Sequence, residues 1–142
     1  MKGEKTMEKA IKFLDGHKLC CMATCSDNTP RASTMEYAMV DGSLIIATEH
    51  DSIKIKNINA NNKTSIAVGG MPAWAVVDGS IEKASDKETA EYTKVLFERH
   101  PEFVEMLEKG HMKPFNCYKL IPKSAYITDL SSGQLVKEVF TV

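Results

Sequence analysis

The chain has 142 residues, enough for one domain with a sizeable core, and its 43% hydrophobic and 26% charged residues are ordinary for a globular protein. A formal net charge of −1 offers no basic excess for nucleic acid or an anionic membrane, and the apolar runs are too short to span a bilayer. The charged N-terminal stretch MKGEKTMEKAIKFL lacks the apolar core of a signal peptide. These features predict a single cytoplasmic domain over residues 1–142, without nucleic-acid or membrane partners.

The first third of the chain predicts a helix and a β-hairpin. Residues 5–15 carry apolar side chains at the spacing of one buried helical face. Three segments follow: KLCCMATC (18–25) as a buried strand, SDNTP (26–30) as a turn, and RASTMEYAMV (31–40) as an alternating strand. Asp41-Gly42 is a strong hairpin signal and predicts the return strand SLIIATE, 43–49.

The remaining segments predict an antiparallel barrel. In chain order they are a helix (52–60), a strand (63–70), a long strand (73–85), a helical region (85–110) and two strands (115–130 and 134–142). Asp78-Gly79 is interpreted as a bulge rather than a hairpin tip, and Pro101 divides the helical region. About six or seven strands that do not alternate regularly with helices favour an α+β barrel over a doubly wound sheet.

No motif for side-chain catalysis is present. The sequence contains no catalytic triad, Walker loop or dinucleotide fingerprint, so an enzyme built on it would take its chemistry from a cofactor. Cys20, Cys21, Cys25 and Cys117 form no Cys-x-x-Cys pair, and the four histidines are scattered. We therefore expect no metal site and interpret the cysteines as small buried apolar residues, with a redox or metal role as the alternative.

One constellation suits a phosphate group. Thr48 and Ser52 offer hydroxyl groups and Lys54 a positive charge, where a strand ends and a helix begins. Counting outward from Asp41-Gly42 pairs Val40 with Ser43, Tyr37 with Ile46 and Met35 with Thr48, which brings Arg31 toward the same loop. The alternative is an ordinary helix start with solvated lysines, in which Asp51 or Ser52 is only the N-cap.

The order of these segments resembles the pyridoxamine 5′-phosphate oxidase-like, FMN-binding split-barrel family. The resemblance rests on KLCCMATCSDNTPRASTMEYAMVDGSLIIATEHDSIKIKNINANNKTSIAVGG, in which the family's turn with Pro, Asp-Gly, strand ending in Thr, Ser-x-Lys and Asn-x-x-x-Asn follow one another. It covers roughly residues 7–84. It implies a mainly β, antiparallel split β-barrel with flanking helices, FMN as cofactor, and these FMN-binding residues: Arg31, Ala32, Ser33, Thr34, Met35, Glu36, Ala47, Thr48, Ser52, Ile53, Lys54 and Trp74.

The sequence also departs from the family's oxidases. Ile53 stands where the oxidases have an arginine, and Glu36 where they have a lysine. Their glutamine near Trp74 is absent, and SSGQLVKEVFTV lacks the Arg and His of their substrate-binding segment. The comparison therefore implies FMN binding but not pyridoxamine phosphate oxidation.

The resemblance further implies a homodimer with FMN at its interface. Trp74, His111, Lys113 and Phe115 are candidates for contacts from the partner side. The leading hypothesis is an FMN-dependent oxidoreductase or flavin reductase of unknown substrate, exchanging electrons with a small molecule or a protein. The alternatives are a flavin-binding electron carrier or sensor, and a split barrel that binds haem or a deazaflavin cofactor.

Overall fold

The computed structural model describes residues 2–112 and 115–142, with side chains described from residue 7. The elements are α1 (Lys2–Asp15), β1 (Leu19–Ser26), β2 (Thr29–Val40), β3 (Ser43–Glu49), α2 (Ile53–Ala60), β4 (Lys63–Gly70), β5 (Ala73–Lys83), α3 (Asp86–Arg99), α4 (Glu102–Glu108), β6 (Phe115–Asp129) and β7 (Val136–Thr141). The strands form one antiparallel sheet in the order β3-β2-β1-β4-β5-β6-β7, and a further β3–β6 ladder closes the first six into a barrel. The predicted α+β antiparallel barrel is confirmed.

The turn between β1 and β2 is shorter than the predicted one. Ser26 pairs with Thr29 and Cys25 with Pro30, so the turn consists of Asp27 and Asn28 alone. Both residues have positive φ, 50° and 58°, as a two-residue hairpin turn of this hand requires. The prediction of a turn over 26–30 was wrong because composition marks turn-forming residues but not where strand pairing resumes.

The prediction of one long strand with a bulge at Asp78-Gly79 is confirmed. β5 pairs with β4 on one side and β6 on the other, and its register against β6 shifts between Asp78 and Gly79. A Cβ atom at Gly79 would lie 2.1 Å from the carbonyl oxygen of Ile121. Glycine is therefore required here by the close approach of the two backbones.

The core lies mainly inside the barrel and is closed by helices at its ends. Met22, Tyr37 and Ile66 are fully buried there, α1 contributes Ala10 and Leu14, and α2 contributes Ile55 and Ile58. A second cluster lies outside the wall, where Tyr92 and Leu96 of α3 pack on Ala38, Ile45 and Cys117. The helix α3 thus covers the outer surface of the wall where β2, β3 and β6 run together.

The helix ends follow local sequence signals. Ser85 and Glu88 form the predicted capping box at the start of α3, and Pro101 immediately precedes α4, so the division at Pro101 is confirmed. Within the residues that the structure describes, no helix combines the length and apolar character that a membrane span requires.

The bulge at Gly79 generates a stability prediction. We expect Gly79→Ala to lower the free energy of unfolding by about 1–3 kcal/mol, because the added methyl group must displace the backbone of β6. Gly70→Ala is the matched control: Gly70 also lies in a strand, and a Cβ atom there meets no atom within 4 Å. Urea denaturation of both variants checks this, and equal stabilities would contradict the close approach.

Candidate functional site

Only the last four residues of β2, Tyr37 to Val40, pair with β3. The pairs Val40–Ser43 and Tyr37–Ile46 occur as predicted, but the ladder ends at Tyr37–Ile46. The predicted Met35–Thr48 pair was wrong: the ladder with β2 does not reach Thr48, which pairs only with Asn116 of β6. A wedge therefore opens between residues 29–36 of β2 and the end of β3.

One side of the wedge is the backbone of β2. The N–H group of Tyr37 donates to the carbonyl of Lys18, on the β1 side. Because the N–H and C=O groups of one strand residue point to the same side and alternate along the strand, those of Ala32, Thr34 and Glu36 point away from β1. We call this edge, beyond the last pair with β3, the open edge of β2. Its backbone can donate to and accept from a planar heterocycle.

The side chains on this stretch of β2 alternate between two surfaces. The register pairs Arg31 with Thr24, Ser33 with Met22 and Met35 with Cys20, so these three residues of β2 face the barrel interior or its α2 end. Arg31 is solvent-exposed, since it lies at the barrel end where Thr24 meets α2. It therefore lies on the same side of the sheet as α2, as the phosphate hypothesis requires.

The other side of the wedge is a polar loop with a helix start. The hydroxyl groups of Thr48 and Ser52 lie 2.9 Å apart, and Ser52 Oγ accepts from the N–H of Ile55 at 3.2 Å. Ser52 is thus the N-cap of α2, which decides between the two candidate caps. Thr48 is only 6% exposed, so its hydroxyl group is buried and its position is fixed by the hydrogen bond with Ser52.

The first turn of α2 suits an anion electrostatically. It contains no acidic residue, and the nearest carboxylate in sequence is the exposed Asp51, just before the N-cap. Lys54, the second residue of α2, is half-buried, whereas Lys56 is exposed. Ile53, at the position of the family's arginine, is 48% exposed.

Asparagine side chains fix the loop and α2 on the barrel. Asn57 donates to Thr24 Oγ1 at 3.1 Å, and Asn61 donates to the carbonyl of Cys25 at 3.2 Å. The Asn-x-x-x-Asn pattern is therefore a structural tie between α2 and β1. At the other end of the loop, the amide nitrogen of Asn116 lies 3.0 Å from Nδ1 of His50. Sequence reasoning missed Asn116, because only the β3–β6 pairing brings it to this loop.

Glu36 is engaged by α3 rather than free at the wedge. Arg99 Nη1 donates to Glu36 Oε1 at 3.2 Å, and His100 Nε2 lies 2.7 Å from Glu36 Oε2. Neither partner was predicted, since the three residues share no local pattern. Ala47, at the end of β3, packs its side chain against the cluster beneath α3. Any cofactor contact from these two β-strand positions would therefore come from the backbone.

Trp74 lies on a different surface from the loop. The registers place Trp74 beside Gly69, Ala67 beside Cys21, and Cys21 beside Thr34, all pointing outward. We call the outer face the uncharged outward-pointing residues of these strands, which Glu36 and Asp78 border: Leu19, Cys21, Ala32, Thr34, Ala67, Trp74 and Val76. Trp74 is three strands from β2, so within one chain it does not join Ser52 and Lys54.

The other partner-side candidates are dispersed. His111 is exposed, Phe115 is half-buried against the cluster beneath α3, and Lys113 lies outside the described residues.

The cysteines divide between core and surface. Cys20 and Cys117 are buried, as predicted, and burial, with a smaller contribution from Cys21, raises the pKa of the Cys20 thiol to about 12. Cys21 is exposed on the outer face and Cys25 is half-buried, so the prediction that all four cysteines are buried was wrong for these two. All four are free thiols. Among the described residues, no three His, Cys, Asp or Glu side chains cluster so as to hold a metal ion.

Comparison with known proteins identifies the family to which this chain belongs. The model of the pyridoxamine 5′-phosphate oxidase family matches residues 6–128, which is most of the chain. The chain belongs to this family. No curated protein sequence matches it significantly.

Several solved structures share the fold. A NimC/NimA family protein from Clostridium acetobutylicum has a TM-score of 0.67 at 20% identity, covering 96% of this chain and 92% of that one. An FAD-binding protein from Mesorhizobium loti has a TM-score of 0.65 at 21% identity, covering 84% and 90%. A heme binding protein from Mycobacterium smegmatis has a TM-score of 0.70 at 16% identity, covering 93% of this chain and 57% of that one. Similarity at these identities establishes the common fold.

The double role of Ser52 generates a prediction for the ligand-free protein. We expect Ser52→Ala to lower the free energy of unfolding by about 1 kcal/mol, because it removes both the helix cap and the partner of the buried Thr48 hydroxyl group. Ser132→Ala, at an exposed turn serine, should change it by less than about 0.5 kcal/mol. Thermal and urea unfolding measure both, and an unaltered Ser52→Ala protein would show that the cap contributes nothing.

Proposed function

We propose that this protein binds FMN in the wedge between β2 and β3 and acts as an FMN-dependent oxidoreductase or flavin reductase. The observation that carries the proposal is the start of α2. There, a hydroxyl pair, a half-buried lysine and a helix whose first turn has no acidic residue follow the end of β3, which has parted from β2. These donors fit a terminal phosphate, and the backbone edge fits a flavin ring.

In this proposal the side chains bind and orient the cofactor. Thr48, Ser52 and Lys54 hold the phosphate, Arg31 approaches it from β2, and the backbone of residues 32–36 borders the ring. Bound FMN supplies the electron-transfer chemistry, which agrees with the lack of a catalytic side-chain motif. We call Thr48, Ser52 and Lys54 the phosphate clamp. Because Ile53 replaces a second basic residue, this clamp depends more heavily on Lys54.

We also propose that a second copy of the chain covers the outer face. This face carries small and apolar side chains without a charge, and Leu19 on it is 62% exposed. A two-fold dimer would bury it and bring Trp74 of the partner subunit toward the wedge, which Trp74 of the same chain does not approach.

Two alternative functions can be distinguished from this proposal by experiment. A haem-binding role is favoured by the Mycobacterium smegmatis neighbour, and a Soret band after haem titration, with no FMN binding, would establish it. A role as an electron carrier or sensor fits the lack of a catalytic side-chain motif. Steady turnover with NAD(P)H or a small acceptor would exclude this role, and slow reduction with rapid exchange to a protein would support it.

Lys54 provides the direct test of the phosphate clamp. We expect Lys54→Ala to weaken FMN binding by about 1–3 kcal/mol, the range for losing a hydrogen bond to a charged group. Lys56→Ala, the same change at an exposed lysine of the same helix, should leave the affinity unchanged. Flavin fluorescence titration measures both, and equal affinities of the two variants would place the phosphate elsewhere.

Ala67 tests the dimer. We expect Ala67→Arg to convert a dimer into a monomer and to weaken FMN binding, because an unpaired charge buried at an interface costs about 2–5 kcal/mol. Ala90→Arg, at an exposed alanine on α3, is the matched control. Light scattering coupled to gel filtration reports the mass, and a wild-type monomer that binds FMN at full affinity would contradict the proposal.

A further inference from the structure

The end of α3 meets β2 where β2 leaves the paired part of the wall. One guanidinium nitrogen of Arg99, Nη1, donates to the carbonyl of Tyr37 at 2.7 Å and to Glu36 Oε1 at 3.2 Å. The imidazole of His100 binds the second carboxylate oxygen, at 2.7 Å. Both oxygens of Glu36 are thus held by the last residue of α3 and its C-cap, His100.

The cluster is built for a fixed geometry. The side chains of Glu36, Arg99 and His100 are 22%, 20% and 33% exposed, so the charged groups are shielded from much of the solvent. Hydrogen bonds to ionised groups are shorter and stronger than neutral ones. His100 is itself held on its other side, where Nδ1 lies 3.5 Å from Glu102 Oε1 and the ring lies 4.9 Å from that of Phe103.

The cluster lies where β2 stops pairing with β3. Tyr37 is the last residue of β2 paired with β3, and Glu36 is the first residue of the open edge. From Glu36 toward Thr29, β2 pairs with β1 but not with β3. The cluster holds the strand at the point where this lateral support ends. It binds the Glu36 side chain on the outer side of the wall and the Tyr37 carbonyl at the edge that faces β1.

We propose that Glu36, Arg99 and His100 form a positioning latch that holds the open edge of β2 and so determines how the flavin ring lies in the wedge. The three side chains act through the backbone of β2. This inference rests on the proposed function, but it concerns the ring, whereas the clamp at Lys54 concerns the phosphate.

The test compares FMN with riboflavin, which has the same ring and lacks the phosphate. In the full-length protein, Glu36→Gln and Arg99→Met should weaken the binding of both flavins by the same factor, about three- to thirtyfold. The visible circular dichroism of bound FMN should change as well, because it reports the surroundings of the ring. Lys54→Ala should weaken FMN binding alone, and Arg99→Lys should restore part of the loss.

The control is Glu82→Gln, the same substitution at a strand glutamate paired with Lys119. It should leave both affinities and the dichroism unchanged. Glu36→Gln keeps the shape of the side chain, so it decides the question if Arg99→Met does not fold. Wild-type affinity and dichroism in Glu36→Gln, or a loss confined to FMN, would overturn the latch alone. A wild-type protein that binds neither flavin would overturn the proposed function and the latch with it.

Discussion

The closure of the barrel by β3 and β6 is the constraint on which the rest of the structure depends. Ile46 pairs with Tyr37 of β2 on one edge and with Tyr118 of β6 on the other, whereas Thr48 pairs with β6 alone. Strands that close a barrel must tilt and stagger against their neighbours. The end of β3 therefore follows β6 away from β2, and the wedge is a direct consequence of closing the sheet.

The two sides of the wedge have different chemistry because they come from different kinds of structure. The side from β2 presents backbone groups in a row, which suits a planar ring with several polar edge atoms. The side from β3 and α2 presents hydroxyl groups, a lysine and a helix N-terminus, which suit a phosphate. A nucleotide-like cofactor with a ring at one end and a phosphate at the other matches this division.

The outer wall is divided in a related way. Where β2, β3 and β6 run together, α3 covers the wall with Tyr92 and Leu96. Across β1 and β4 the wall carries residues such as Cys21 and Ala67, small enough for another backbone to approach closely. The boundary between the two regions passes through Glu36, so the end of α3 can both complete the core and hold the edge of the wedge.

Local signals in the sequence determined most of the elements and one side of the site. The Asp41-Gly42 hairpin, the bulge at Gly79 and the capping box at Ser85 each depend on residues a few positions apart, and all three occur as predicted. The polar loop before α2 also depends on neighbouring residues. The sequence left two candidates for the helix cap, Asp51 and Ser52, and the structure selects Ser52.

Only the tertiary structure decided the contacts between distant segments. The wrong Met35–Thr48 pair and the unforeseen partners of Glu36 have the same origin. Thr48 pairs with a strand far along the chain, and Glu36 binds Arg99, 63 residues away. Such contacts form because barrel closure brings the segments together, and no short-range pattern of residue types encodes that closure.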